Sequence, residues 1–337
     1  MSDRGAVLVT GGAGYIGSHV VLALRDAGRH AVVLDDLSTG VRQAVPADVP
    51  FVPGDVGDAA LLSRTLGEHG VGAVMHFAGS VVVPDSVRDP LAYYRNNALK
   101  SLALIEACVA QGVNRFVFSS TAAVYGIPDV VPVSEDAQTR PINPYGTSKL
   151  VTEWVLRDTA AAHALRYAVL RYFNVAGADP AARVGQSTPA ATHLLKVACE
   201  TAVGKRPQLQ VFGTDYPTPD GTCVRDYIHV SDLAEAHVLA LRHLESGGES
   251  TILNCGYGRG NSVKEVLDAV ERVCGHRLDT SFAPRRAGDP PALVAAADKL
   301  RRALGWTPRF DDLQTIVETA LAWERHLATG AAKAASA

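Results

Sequence analysis

Short apolar runs rich in Val, Leu and Phe recur through the first half of the chain: AVLVT at 6–10, AVVLD at 31–35, AVMHFA at 73–78, RFVFSS at 115–120 and YAVLRYF at 167–173. A strand that is apolar on both faces must be buried on both faces, the condition of a parallel sheet covered by helices. Between these runs, 17–28 and 98–111 place Ala, Leu, Ile and Val at helical spacing, with Gly28 and Gly112 as stop signals. The alternation predicts β-α-β-α order from residue 6 to about 175, an α/β fold with a doubly wound parallel sheet. After Asn174 the rhythm changes. Gly, Pro and Asp punctuate 177–189 and 213–222, strands shorten, and a last amphipathic helix carries Leu313, Ile316, Val317, Ala320 and Leu321. The pattern predicts a first unit over 1–175, joined by parts of 223–256, and a smaller C-terminal α/β unit over 176–330. The end, ATGAAKAASA, has little to bury, so a disordered tail is expected over 331–337.

Composition narrows the class. Apolar residues make up 47% and charged residues 20% of 337, which excludes disordered and coiled-coil chains. A net charge of −3 gives no reason to expect nucleic acid or an anionic membrane as partner, so any phosphate site must be local. No apolar run approaches the length of a membrane span, and no secretory leader precedes the first strand, which leads to the expectation of a cytoplasmic protein. Cys108, Cys199, Cys223, Cys255 and Cys274 lack metal-ligand spacing and read as buried thiols; no metal is expected.

The first strand ends in Gly11-Gly12-Ala13-Gly14-Tyr15-Ile16-Gly17. Gly12-x-Gly14-x-x-Gly17, between a buried strand and an amphipathic helix, is a dinucleotide fingerprint: the glycines permit a tight turn, and the helix N-terminus faces the pyrophosphate. The unit is therefore Rossmann-like. Asp35 closes the second strand, where a carboxylate accepts hydrogen bonds from an adenosine ribose and repels a 2′-phosphate, favouring NAD over NADP. Asp55, after a third short strand, is placed to reach the adenine.

Tyr145 and Lys149 stand four residues apart after Asn143-Pro144, a helix entry, so both project from one helix face. The strand ending Ser119-Ser120-Thr121 delivers Thr121 to the same carboxyl edge. Tyrosine, with an unperturbed pKa of about 10, needs help to act as a base at neutral pH. A nearby ammonium and an oxidised nicotinamide both favour the phenolate, so Tyr145 is the expected base, with Thr121 bonding the reacting hydroxyl.

TGGAGYIGSH, HFAG, YYRNN, SSTAAVYG, NPYGTSK, LRYFN and VRDYIHVSDLA together resemble the UDP-glucose 4-epimerases of the extended short-chain dehydrogenase/reductase superfamily, over residues 6–325. GQSTPAATHLLKVACE and VFGTDYPTPDGTCVRDYIHV are similar to the bacterial exopolysaccharide form. The resemblance implies that Gly11, Gly14, Tyr15, Ile16, Gly17, Asp35, Asp36, Asp55, Val56, Phe77, Ala78, Gly79, Asn97, Ser119 and Tyr172 surround NAD, together with Tyr145 and Lys149. It implies a catalytic set of Tyr145, Lys149 and Thr121. Phe173, Asn174, Leu194, Phe212, Arg225, Arg286 and Asp289 are implied to hold the UDP moiety, with Leu293 flanking the sugar. It further implies a homodimer through helices 98–111 and 148–162. Three departures stand out: Ser80-Val81 where many members have a lysine after HFAG, Thr121 for the more usual serine, and Thr192-His193 for paired asparagines; His193 receives no role.

Three rival functions differ at particular residues. A nucleotide-sugar 4,6-dehydratase resembles this chain but places Asp-Glu immediately after the threonine, where Ala122 and Ala123 cannot exchange protons. A non-catalytic NAD-binding regulator has no need of intact Thr121, Tyr145 and Lys149. A UDP-N-acetylglucosamine 4-epimerase shares the chemistry and differs only in the room beside Leu293.

Overall fold

The computed structural model describes residues 5–188, 191–286 and 289–335, with the backbone alone for 330–335. Six strands open the chain: β1 (Ala6–Thr10), β2 (Ala31–Asp35), β3 (Phe51–Pro53), β4 (Val71–His76), β5 (Arg115–Thr121) and β6 (Arg166–Tyr172). Then come β7 (Asn174–Ala176), β8 (Leu209–Phe212), β9 (Val224–His229) and β10 (Thr251–Cys255). The main sheet is parallel throughout, in the order β10-β6-β5-β4-β1-β2-β3. Chain order reverses between β1 and β4, which opens a crevice at the carboxyl edge, where doubly wound sheets bind ligands.

The helices are α1 (Tyr15–Asp26), α2 (Ala59–Glu68), α3 (Val83–Arg88), α4 (Pro90–Tyr93), α5 (Lys100–Ala110), α6 (Pro144–Ala162), α7 (Leu194–Ala202), α8 (Val230–Glu245), α9 (Val263–Cys274), α10 (Asp298–Leu304) and α11 (Leu313–Ala335). Strand alternation sorts them into two layers. Val7 and Val9 of β1 join a core with Val20 and Leu24 of α1 and Leu233 and Leu241 of α8. Leu8, between them, faces Leu62 of α2, Leu104 of α5 and Leu156 of α6. β1 is thus covered on both sides, which is why its run reads as continuously apolar.

Past β10 the strands are β11 (Gly260–Ser262), β12 (Thr280–Ala283) and β13 (Ala292–Leu293). β9 collects β11, β13 and β7 into a small mixed sheet, and β12 pairs β8.

Three expectations change. The helix foreseen from residue 98 begins as a π-helical turn, Tyr94–Leu99, and becomes α-helical only at Lys100; π-turns gather at functional sites, and this one carries Asn97. The tail foreseen from 331 continues α11 to Ala335, because alanine is the strongest helix former and AAKAA needs no core to propagate a helix already nucleated; residues 336 and 337 lie outside the described residues. Cys274, unlike the other four thiols, is half-exposed, since α9 ends there at Gly275 in the left-handed conformation.

Candidate active site

The glycine turn leaves no room for side chains. Gly11 has φ +70, and a Cβ on it would meet the Ala78 amide at 2.6 Å. A Cβ on Gly17 would stand 2.2 Å from the Gly11 carbonyl. The turn is therefore pressed against the Phe77–Ala78 segment on one side and α1 on the other. α1 begins after Gly14 with no side-chain cap, so the amides of Tyr15, Ile16 and their neighbours are left for an anion. The Tyr15 hydroxyl turns away and donates to the Gly177 carbonyl at 2.6 Å, which ties the segment after β7 to this helix.

Asp35 is buried at the end of β2, accepting from the Ala13 amide at 2.9 Å and the Leu37 amide at 2.8 Å. Burial pushes its carboxyl upward against those two bonds. Asp36 is exposed and closes a turn on the Ser38 amide. Asp55 is exposed and taken by Lys100 Nζ at 2.7 Å, while Val56 is buried in the α2 core.

The β4 end is held by Asn97. Its Oδ1 accepts from the Ser80 amide at 2.7 Å, and its Nδ2 donates to the Ser80 carbonyl and the Ser148 hydroxyl, both at 3.0 Å. Gly79, between these points, would bring a Cβ within 3.0 Å of Asn97 Oδ1 and 3.5 Å of Lys149 Nζ. Beneath lies a buried polar string that sequence reasoning missed: Thr10 Oγ1 to His76 Nδ1 at 2.6 Å, His76 Nε2 to Ser101 Oγ at 2.8 Å, and Ser101 to the Asn97 carbonyl. A histidine inside the apolar run AVMHFA was the available signal.

α6 starts where Asn143-Pro144 predicted, with the Asn143 side chain accepting from the Gly146 amide. Its first turn brings Tyr145 near Thr121, whose hydroxyl favours the phenolate. Thr121 Oγ1 accepts from the Ala123 amide at 3.1 Å, which leaves its proton available to donate. Lys149 is buried; its Nζ donates to the Ser119 carbonyl at 3.0 Å and stands 5.0 Å over the Phe118 ring. Burial lowers the ammonium to about 8. In the cofactor-free protein burial raises the Tyr145 phenol and Thr121 opposes the rise, while the Lys149 ammonium is engaged by the Ser119 carbonyl.

A second buried set, also missed, braces the same helix. Arg171 of β6 clasps Glu153 of α6 through two nitrogens, at 3.1 and 2.6 Å, and donates to the Tyr125 hydroxyl at 2.9 Å; Ser120 donates to Glu153. The arginine in YAVLRYF was its signal.

The residues implied to hold UDP form a neighbouring group. Arg225 of β9 lies opposite Leu293 of β13 and 3.6 Å from Asp289, and the Arg286 guanidinium sits 3.7 Å over the Phe212 ring. Leu293 packs on a small core that holds Phe173, Ala122 and Leu150. Asn174 and Leu194 line one cleft with His193, Gln186 and Tyr227.

A glycine turn that opens α1, a Thr–Tyr–Lys set at the carboxyl edge of the same sheet, and Arg225 and Arg286 in the following unit define a nicotinamide-dependent enzyme of the short-chain dehydrogenase class. The profile of the NAD dependent epimerase/dehydratase family matches residues 7–256, and the chain belongs to that family. It is 63% identical over 331 residues to a UDP-glucose 4-epimerase of Azospirillum brasilense, covering 97% of this chain and 95% of the relative. Among solved structures it is similar to a UDP-glucose 4-epimerase from Brucella ovis in complex with NAD (TM-score 0.92, 45% identity, 94% and 98% of the two chains). The Bifidobacterium longum enzyme in complex with NAD+ and UDP matches at a TM-score of 0.91 and 37% identity, over 96% and 99%.

Proposed function

We propose that the chain interconverts UDP-glucose and UDP-galactose by 4-epimerisation through a transient 4-keto sugar. The cleft fits NAD: the turn a Cβ would fill, the uncapped α1 and the pinned Asp35 suit a pyrophosphate and an adenosine ribose. When bound, NAD supplies a reversible hydride acceptor and, while oxidised, a positive charge beside the phenol. Tyr145 accepts the proton of the sugar's C4 hydroxyl. Thr121 donates to Tyr145 and stabilises its anionic form. Lys149, fixed on the Ser119 carbonyl, keeps a cation below the cleft at neutral pH. Arg225 and Arg286 suit the diphosphate and Asp289, 3.6 Å from Arg225, the uridine ribose. Leu293 sets the room beside the sugar.

The observation that carries this reading is Tyr145 in the first turn of α6 with Thr121 at the end of β5, followed directly by Ala122 and Ala123. One base at C4 is present, and the acid and base that elimination across C5 and C6 demands are not. We also infer a homodimer, supported by Leu99 and Leu102 of the α5 region and Trp154 of α6, all exposed. We place the nucleotide unit at 1–175 with β10, the substrate unit in most of 176–330, and the enzyme in the cytoplasm.

The test is to incubate purified protein with UDP-galactose and no added cofactor. UDP-glucose is expected at a steady rate, because a cofactor released in mid-cycle would strand the 4-keto sugar. A 4-keto-6-deoxy product, or turnover only on addition of NADP, overturns the reading.

A further inference from the structure

Tyr172 ends β6, in register with Thr121 of β5 and Cys255 of β10, so its ring stands at the carboxyl edge one strand from the reacting groups. Its hydroxyl bonds Nε2 of His237, from the middle of α8, and the nearby Ser119 hydroxyl favours its anionic form. The His237 ring is buried, packs 4.9 Å from the Phe77 ring, and directs Nδ1 at the Leu233 carbonyl at 2.8 Å.

Donor and acceptor accounting fixes the protons. A carbonyl only accepts, so Nδ1 carries the hydrogen. Burial holds the imidazole neutral, pushed down to about 4, so Nε2 is bare and only accepts. Tyr172 must therefore give its single proton to His237. With that proton committed, the Tyr172 oxygen has only lone pairs left and toward any further partner can only accept.

We propose that His237 is a positioning residue for the cofactor: by holding the Tyr172 proton, it makes the Tyr172 oxygen an obligate acceptor for the amide N–H of the nicotinamide carboxamide, and so favours one orientation of the ring. The proposal rests on reading this cleft as the nicotinamide end of an NAD site. His237 touches neither substrate nor cofactor and acts through Tyr172.

The test uses the holoenzyme. In ¹⁵N NMR, His237 is expected as the neutral Nδ1–H tautomer from pH 6 to 9; an imidazolium or an Nε2–H tautomer overturns the proposal. His237→Leu removes the acceptor and is expected to release NAD about three- to tenfold faster, the range of one neutral hydrogen bond. His237→Gln, whose Oε1 stands near the place of Nε2, should restore the rate to within about twofold of wild type, as a single acceptor replaces another. In a Tyr172→Phe background, His237→Leu should add less than about a twofold change, since both remove one interaction. Additive effects, or an unchanged release rate in His237→Leu, overturn the proposal. If His237→Leu does not fold, His237→Asn, too short to reach Tyr172, takes its place. A wild-type protein that holds no NAD contradicts the cofactor reading instead.

Discussion

Tyr145→Phe is expected to fold, to keep its cofactor and to lose a factor of about 10²–10⁴ in kcat, the range of a general base. The substitution removes one oxygen from a ring held at the first turn of α6 by Asn143 and braced further along by the Glu153–Arg171 pair, neither of which involves the phenol. The loss should fall on kcat rather than KM, because proton transfer belongs to the transition state. In the cofactor-free protein burial raises this phenol, so it stays protonated at neutral pH. Its use as a base requires cationic help beyond Thr121. Absorbance for bound NAD and initial rates on UDP-galactose check the prediction; a variant within about tenfold of wild type takes Tyr145 out of the base role.

Lys149→Met is expected to act in two directions. Removing a fixed cation from beneath the reacting groups should lower kcat by about 10²–10³-fold, as for loss of one preorganised electrostatic contact. The same change should stabilise the apoprotein. The folded lysine titrates near 8 against 10.5 when exposed, so the folded chain binds fewer protons than the unfolded chain between those values. Below pH 8 both states carry the ammonium and the cost of burying it is fully present; above 10.5 both are neutral and it vanishes. The shift corresponds to roughly 3 kcal/mol, an upper figure, since the variant also loses the Ser119 carbonyl bond. Thermal melts of apoprotein should therefore show Lys149→Met above wild type at pH 7, with the gap closing from pH 8 to 10.5. A variant less stable than wild type at pH 7 contradicts the assigned burial cost.

How much of this was legible follows from how each feature is encoded. β1, β2, β5 and β6 were readable because parallel strands buried on both faces leave unbroken apolar runs, and Gly11 to Gly17 because backbone space is a property of residue type. Tyr145 and Lys149 were placed by a local helix start. The actual partner of Lys149 was not legible: it is the Ser119 carbonyl, and a main-chain atom leaves no mark on residue identity. Nor was the link from Tyr172 to His237, which lies on a helix reached only after the chain has made β7, β8 and β9. β10 enters the main sheet from the same distance; the sequence led to the expectation that parts of 223–256 join the first unit, but not to the strand that β10 pairs with. Long-range pairing of this kind depends on topology, and periodicity reports only the local element. The lone polar residues inside apolar runs, His76 and Arg171, were available signals of the two missed networks, but they do not name their partners.

The measurement that bears most directly on the central claim is the fate of the hydrogen on C4. With UDP-galactose deuterated at that carbon and unlabelled protein in ordinary water, a hydride that leaves to a retained cofactor and returns to the same sugar keeps its label. Mass spectrometry and NMR should therefore find the UDP-glucose product fully deuterated at C4, with no label crossing to a second, unlabelled sugar in a mixed incubation. Loss of deuterium to solvent, or its exchange between sugar molecules, would contradict 4-epimerisation by this closed cycle.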